Sequence, residues 1–194
     1  MQLMQCITDF GDLSVLIPLS LLLCLLLLAG KSTIDAQAFL TLLCLCLGTM
    51  LLLKLLFLTC GVHWMPSVAS PSGHTAMSTF VFGSIGLVLS THSPRGCRVL
   101  IVVVSVSLIA SIAVSRVYLG AHTIAEVVIG LVVGLIYLIL YVVAYRQNSH
   151  RRINVAVMAT GFLAIILVIH GSKAPAETQI RIWSKALNSA IASC

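Results

Sequence analysis

The sequence predicts an all-α membrane protein built as a bundle of six transmembrane helices. Three observations lead there. The chain of 194 residues is 60% hydrophobic and only 8% charged, with a mean hydropathy of +1.14, which leaves too few polar side chains to clothe a soluble domain of this length. The apolar residues gather in long runs such as LSVLIPLSLLLCLLLLAG, of a length that crosses a bilayer as a helix. The charges fall in short clusters between those runs, where they read as topology signals.

The apolar segments number six, at about 13–30, 39–59, 74–90, 99–114, 123–145 and 153–170. Some are short for a hydrocarbon core of ~30 Å at about 1.5 Å per residue, so their polar-looking ends must extend them. The N-terminal twelve residues carry two acids and no base, unlike the basic region of a secretory signal, so the first run reads as a retained helix. No linker, low-complexity tract or repeat divides the chain, which is expected to form one membrane-embedded domain over 1–194. Gly130 and Gly134 make a small-xxx-small step that signals helix packing. In the tail, Ile180, Trp183, Leu187, Ala190 and Ile191 recur at helical spacing, which suits either an interfacial helix over 178–192 or a frayed polar terminus.

Six crossings put Lys31, Arg95, Arg98 and the cluster Arg146, Arg151 and Arg152 on one side. By the positive-inside rule that side is cytoplasmic. The N-terminus and the loops around Cys60 and Arg116 then face the extracytoplasmic side, most simply of a cell (inner) membrane. Lys173, Arg181 and Lys185 in the tail pull weakly the other way. The net charge of +6 is spread too thinly for a nucleic-acid surface. None of the seven cysteines has metal-ligand spacing. Cys24, Cys44 and Cys46 lie in apolar runs as small hydrophobes, while Cys6, Cys60 and Cys194 share one side, with room for one disulfide.

Polar residues near the membrane interior are costly and mark function, and here nearly all converge on the side away from the basic loops. Lys54 ends the second segment. PSGH at 71–74 opens the third: Pro71 and Gly73 turn tightly into a helix whose first N–H groups lack intrahelical partners, forming an anion site at the positive end of the dipole. Ser72 adds a hydroxyl and His74 a proton for a leaving oxygen. At 115–126, SRVYLGAHTIAE brings Arg116, whose planar fork suits phosphate oxygens. His122 and Glu126 follow, four apart and therefore on one helix face. A carboxylate one turn away can hold one imidazole nitrogen and free the other to attack. Tyr118 and Gly120 shape the turn between them, and His92, His150 and His170 at segment ends need no role.

These blocks resemble the type 2 phosphatidic acid phosphatase superfamily, which includes lipid phosphate phosphatases and, more distantly, vanadium haloperoxidases. The family pattern is Lys-x6-Arg-Pro, then Pro-Ser-Gly-His, then Ser-Arg-x5-His-x3-Asp. The second block is complete at 71–74, and the third matches from Ser115 to His122 but has Glu126 in place of the aspartate. In the first block Lys54 is followed after six residues by Gly61 and Val62, so an arginine is missing. His63 is the nearest stand-in, although beside Trp64 it reads equally as an interfacial residue, and Lys54 has the alternative of a snorkelling lysine.

The resemblance implies a roster of roles. His122 is the nucleophile that forms a phosphohistidine, Glu126 orients it, and His74 is the acid. Lys54, Ser72, Gly73 and Arg116 hold the phosphoryl oxygens. It implies no metal and no other cofactor. The partner is a membrane-borne phosphorylated or pyrophosphorylated lipid, since little chain lies outside the bilayer to enclose a soluble substrate. A phosphotransferase using the same intermediate, and a non-catalytic lipid-binding or transport protein, are the rival readings.

Overall fold

The structure, a computed structural model, describes residues 1–64, 68–148, 154–169, 171, 179–180 and 182–183, without the side chains of 59–64 and 146–148. Among these residues seven helices and no strand occur: α1 Gln2–Asp9, α2 Leu13–Ala29, α3 Thr33–Trp64, α4 Gly73–His92, α5 Arg95–Tyr118, α6 Ile124–Asn148 and α7 Val155–Ile169. Helices α2 to α7 are the six expected from the apolar runs. Five spans are long and apolar enough to cross a membrane, the first running from Gln2 to Ala29 across α1 and α2. Helix α7, with 15 residues, is shorter, about 22 Å.

In α2 the leucine-rich run is apolar all round, yet its burial has a face. Val15, Leu16, Leu19, Leu23 and Leu27 are buried, whereas Ile17, Leu21, Leu25 and Leu28 point outward. Lipid accepts the outward leucines at no cost, so packing sets the face and hydropathy does not. Helix α3 begins six residues before the apolar run because Thr33, Asp35 and Gln37 are helical. Asp12 caps α2, its Oδ1 accepting the Ser14 N–H at 2.9 Å.

Helix α4 is the axis of the bundle, packed against α2, α3, α5, α6 and α7. It is the least apolar span, and its small polar residues are buried within protein: Ser78, Thr79 and Ser84 are at most 1% exposed. Ser78 and Thr79 donate to the Thr75 carbonyl at 3.2 and 2.7 Å, which meets the demand for hydrogen bonds in a dry interior. Small side chains let neighbouring backbones approach. A Cβ on Gly130 would strike the carbonyl oxygen of Ser72, and one on Gly134 that of Ala76. The glycine step of α6 therefore lies directly on the first turn of α4. Toward the other end, Phe39, Phe80 and Tyr141 join α3, α4 and α6, with Phe39 and Phe80 stacked at 5.3 Å and Tyr141 edge-on.

The short helix α1 was not separated from the N-terminal segment by its sequence pattern. It packs on α5, with Thr8 buried and Leu3 outward.

Candidate active site

The extended backbone of Ser72 caps α4, and its side-chain oxygen accepts the Thr75 N–H at 3.4 Å and lies 3.0 Å from the Thr75 hydroxyl. The Ser72 side chain, from which the sequence suggests a phosphate donor, is fully buried and engaged in this cap. The Ser72 N–H donates to the Glu126 carbonyl at 3.0 Å, tying the block at 71–74 to α6. The N–H groups of Gly73 and His74, in the first turn, point along the helix axis with no carbonyl of their own helix to receive them.

The corner between α5 and α6 has two local devices. Gly120 has φ +65, a left-handed conformation that favours glycine, so it closes α5. Its N–H donates to Val117 O and the Ala121 N–H to Arg116 O, a Schellman closure. The His122 N–H also returns to Arg116 O, at 3.2 Å, which folds the histidine back over the arginine. Helix α6 then starts with a capping box: Thr123 Oγ1 accepts the Glu126 N–H at 3.3 Å while Glu126 Oε2 accepts the Thr123 N–H at 2.9 Å.

Glu126 does more than cap. Its Oε2 also accepts from His122 Nδ1 at 2.9 Å, and its Oε1 accepts the N–H groups of Ala69 and Ser70 at 2.7 and 2.8 Å. A carboxylate has no proton to give, so Nδ1 must carry the hydrogen and Nε2 keeps its lone pair. Burial pulls the His122 pKa below the ordinary imidazole value; the Glu126 hydrogen bond opposes this, and the charges of Arg116 and Lys54 reinforce it. The side chain is 8% exposed. It is a neutral, aimed imidazole with two cations beside it.

Lys54 is buried at 5% exposure. A Cβ on Gly73 would come within 3.3 Å of its Cε and 3.8 Å of its Nζ, so the absent side chain of Gly73 admits the ammonium to the N-terminus of α4. Two positive ends brought together in a buried place are best served by an anion between them. Arg116 reaches from the last turn of α5 to α1, donating from Nη1 to Thr8 Oγ1 at 3.2 Å. His74 lies beside Asp12, its Nε2 at 3.7 Å from Asp12 Oδ2. The side chain of His63 lies outside the described residues, as does most of the proposed tail helix at 178–192. So do the side chains of Cys60 and Cys194.

The fold thus brings Lys54, Gly73, His74, Arg116, His122 and Glu126 to one end of the bundle, with Ser72 beneath them as a cap. Sequence reasoning missed four participants: Thr8, Asp12, Thr123 and the amides of 69–70. The Thr-x-x-Glu spacing announces the capping box, and an aspartate just before an apolar run announces the α2 cap; nothing in one sequence announces the contacts of Asp12 and Thr8 across the fold. Among the described residues no three His, Cys, Asp or Glu side chains gather as metal ligands.

Two cavities flank α4. One, of about 610 Å³ and lined by Ser90, Arg98 and Tyr145, lies at the end away from the motifs. The other, of about 560 Å³, runs between α2 and α3 with Leu13, Ile17, Leu47 and Met50 on its walls, and Lys54, Gly73 and His74 line it too. Gln179, Ile180 and Trp183 of the tail also border it.

Residues 59–151, just under half of the chain, match the family model of the PAP2 superfamily. No curated protein and no solved structure matches the chain. The complete block at 71–74 and the nearly complete one at 115–126 fall inside the matched stretch, and a helical membrane bundle surrounds it. The matched stretch is thus similar to the PAP2 superfamily, in line with the type 2 phosphatidic acid phosphatase motifs it carries, and that similarity supports an activity of the phosphatase type on phosphorylated substrates.

Proposed function

We propose that the protein is a metal-independent lipid phosphate phosphatase, a single membrane-embedded domain whose site faces the extracytoplasmic side of the membrane. The observation that carries the lipid reading is the cavity between α2 and α3. Its walls are aliphatic, yet Lys54, Gly73 and His74 line the same space. A phosphate held at those residues would send an apolar tail along the helices and into the bilayer, whereas a soluble phosphate ester gains nothing from such walls.

In this reading Lys54, Arg116 and the N–H groups of Gly73 and His74 hold the phosphoryl oxygens, with Ser72 shaping the turn that presents them. Nε2 of His122 attacks phosphorus as the bond to the lipid oxygen breaks, and His74 gives its proton to that oxygen. Nδ1–H to Glu126 stabilises the cationic phosphohistidine. Water then attacks phosphorus, His74 takes a proton from it, and the bond to Nε2 breaks to release inorganic phosphate. The Glu126 carboxylate is fully engaged by four N–H donors, which supports chemistry by histidine and cations without a metal.

The test is phosphate release by the purified protein from long-chain alkyl phosphates and prenyl pyrophosphates, with EDTA present. Release on lipid substrates undiminished by EDTA is the expected result. Activity abolished by EDTA and restored by a divalent ion would overturn the metal-free reading, and transfer of phosphate to a lipid acceptor without release would turn the enzyme into a transferase.

A further inference from the structure

The turn between α1 and α2 lies against His74. A Cβ on Gly11 would stand 3.3 Å from His74 Cβ, 3.4 Å from its Cδ2 and 2.9 Å from Ile112, so only a residue without a side chain lets the turn approach this closely. Asp12 follows. Its Oδ1 is fixed by the Ser14 N–H at the start of α2, and this sets the direction of Oδ2, which stands 3.7 Å from His74 Nε2. The carboxylate is 12% exposed and the imidazole 26%. The separation exceeds a hydrogen bond, but contacts to catalytic groups are often long before substrate arrives and tighten in the complex. One residue-turn away, Thr8 meets Arg116 Nη1 at 3.2 Å. The segment 8–12, wholly outside the stretch that matches the family, therefore touches two residues of the site.

We propose that Asp12 is a positioning residue for the general acid: it aims the His74 ring and supplies the countercharge to the imidazolium that protonates the leaving oxygen. The inference rests on the role given to His74 above. The proton goes from His74 to the leaving oxygen as the phosphorus–oxygen bond breaks, and it is replaced by one from the attacking water in the second step. Asp12 itself exchanges no proton. In this respect Asp12 stands to His74 as Glu126 stands to His122, and the site has two histidine–carboxylate pairs, one for attack and one for departure.

Asp12→Asn separates this role from the helix cap, because asparagine caps a helix about as well as aspartate. The substrates are hexadecyl phosphate, whose alkoxide needs a proton to leave, and para-nitrophenyl phosphate, whose phenolate does not. Asp12→Asn should lower kcat on hexadecyl phosphate by about tenfold or more, a fraction of the ~100- to 10,000-fold that general acid help supplies. It should change turnover of the nitrophenyl ester by less than about threefold, since that ester draws little on the acid. Added to His74→Ala it should cost nothing further on either substrate, as expected of residues acting as one unit. Asp12→Glu, which keeps the charge, should restore part of the alkyl phosphate activity.

Equal losses on the two substrates from Asp12→Asn, or a further loss on top of His74→Ala, would overturn the proposal and leave Asp12 as a helix cap alone. If His74→Ala itself shows no dependence on the leaving group, the acid is another residue, and the role of Asp12 falls with it. The two failures are distinct: in the first, His74→Ala still discriminates between the substrates.

Discussion

His122 Nδ1 and Glu126 Oε2 are 2.9 Å apart, and the other oxygen of the same carboxylate is held by the N–H groups of Ala69 and Ser70. The group that orients the proposed nucleophile is thus the group that fixes the loop ahead of α4. Four N–H donors converge on one carboxylate, and every one comes from a segment carrying site residues.

That geometry makes Glu126→Gln a demanding change. A carboxamide has one acceptor oxygen, so its NH₂ must face either His122 and Thr123 or the amides of 69–70. The buried N–H groups left without acceptors should destabilise the protein by about 1–3 kcal/mol each, and kcat should drop by about 100-fold or more with loss of the oriented, charge-stabilised imidazole. Glu126→Asp restores the family residue, but its reach is shorter by one methylene. It should keep the His122 contact or the loop contacts, not both, and so retain more activity than Gln and less than the native enzyme. Equal activity of Asp and Glu enzymes would mean that the four-way engagement is dispensable.

The pH profile follows from the lowered His122 pKa. In the proposed mechanism the nucleophile is the neutral imidazole, so kcat/KM should hold as pH falls through about 6.5, the ordinary histidine value, and decline only below it. Because the Glu126 hydrogen bond raises this pKa against burial, Glu126→Gln should move the acid limb further down. Substrate ionisation is the same for both enzymes and cancels in the comparison. An acid limb that moves up in Glu126→Gln contradicts the assignment.

The two histidines should fail differently. His122→Ala removes the bond-forming nitrogen, so no acid-labile phosphoenzyme can be trapped and turnover should vanish on every substrate. His74→Ala removes a proton donor worth ~100- to 10,000-fold, and activity should recover in part on a nitrophenyl phosphate. Comparable residual activity of the two variants on both substrate types would reverse or void the roles.

Gly130 offers a test of assembly away from the chemistry. A methyl there strikes the backbone oxygen of Ser72, which has no rotamer with which to yield. Gly130→Ala should cost about 1–3 kcal/mol by overpacking and lower kcat by shifting α6 relative to α4. Gly96→Ala is the control: it is exposed at the start of α5, a Cβ there meets nothing within 4 Å, and neither thermal stability nor kcat should fall. Similar effects of the two substitutions would dissociate the glycine step from the site.

Orientation can be read at Cys97, which is exposed beside Arg95 and Arg98. With the other cysteines replaced, an impermeant maleimide should label it only after cells are opened. Labelling of intact cells inverts the proposed topology.

Much of this was written in the sequence. The six bundle helices follow from apolar runs because lipid tolerates little else, and His122 and Glu126 share a face because a helix repeats every 3.6 residues. Helix ends were less legible: Thr33 to Gln37 read as polar yet lie in α3, held by its first-turn geometry. The all-leucine α2 hid its inward face, since neither side of it faces water. Least visible were Asp12 and Thr8, whose contacts with His74 and Arg116 join residues 62 and 108 positions apart in the chain. Only the packing of α1 on α5 and of α2 on α4 brings them together.

The span of those contacts bears on how the protein is made. The segment carrying Thr8 and Asp12 leaves the ribosome first, the block at 71–74 later, and His122 with Glu126 later still. The loop at 69–70 has no carboxylate to bind until α6 has been inserted, and the first turn of α4 has no glycine step to rest on. On the proposed roles, a nascent chain with only its first four spans in the bilayer therefore holds the phosphate cradle without an oriented nucleophile, and it should be chemically silent. By the same proposal competence arrives in one step when α6 docks, so premature termination anywhere before residue 126 should yield an inert product.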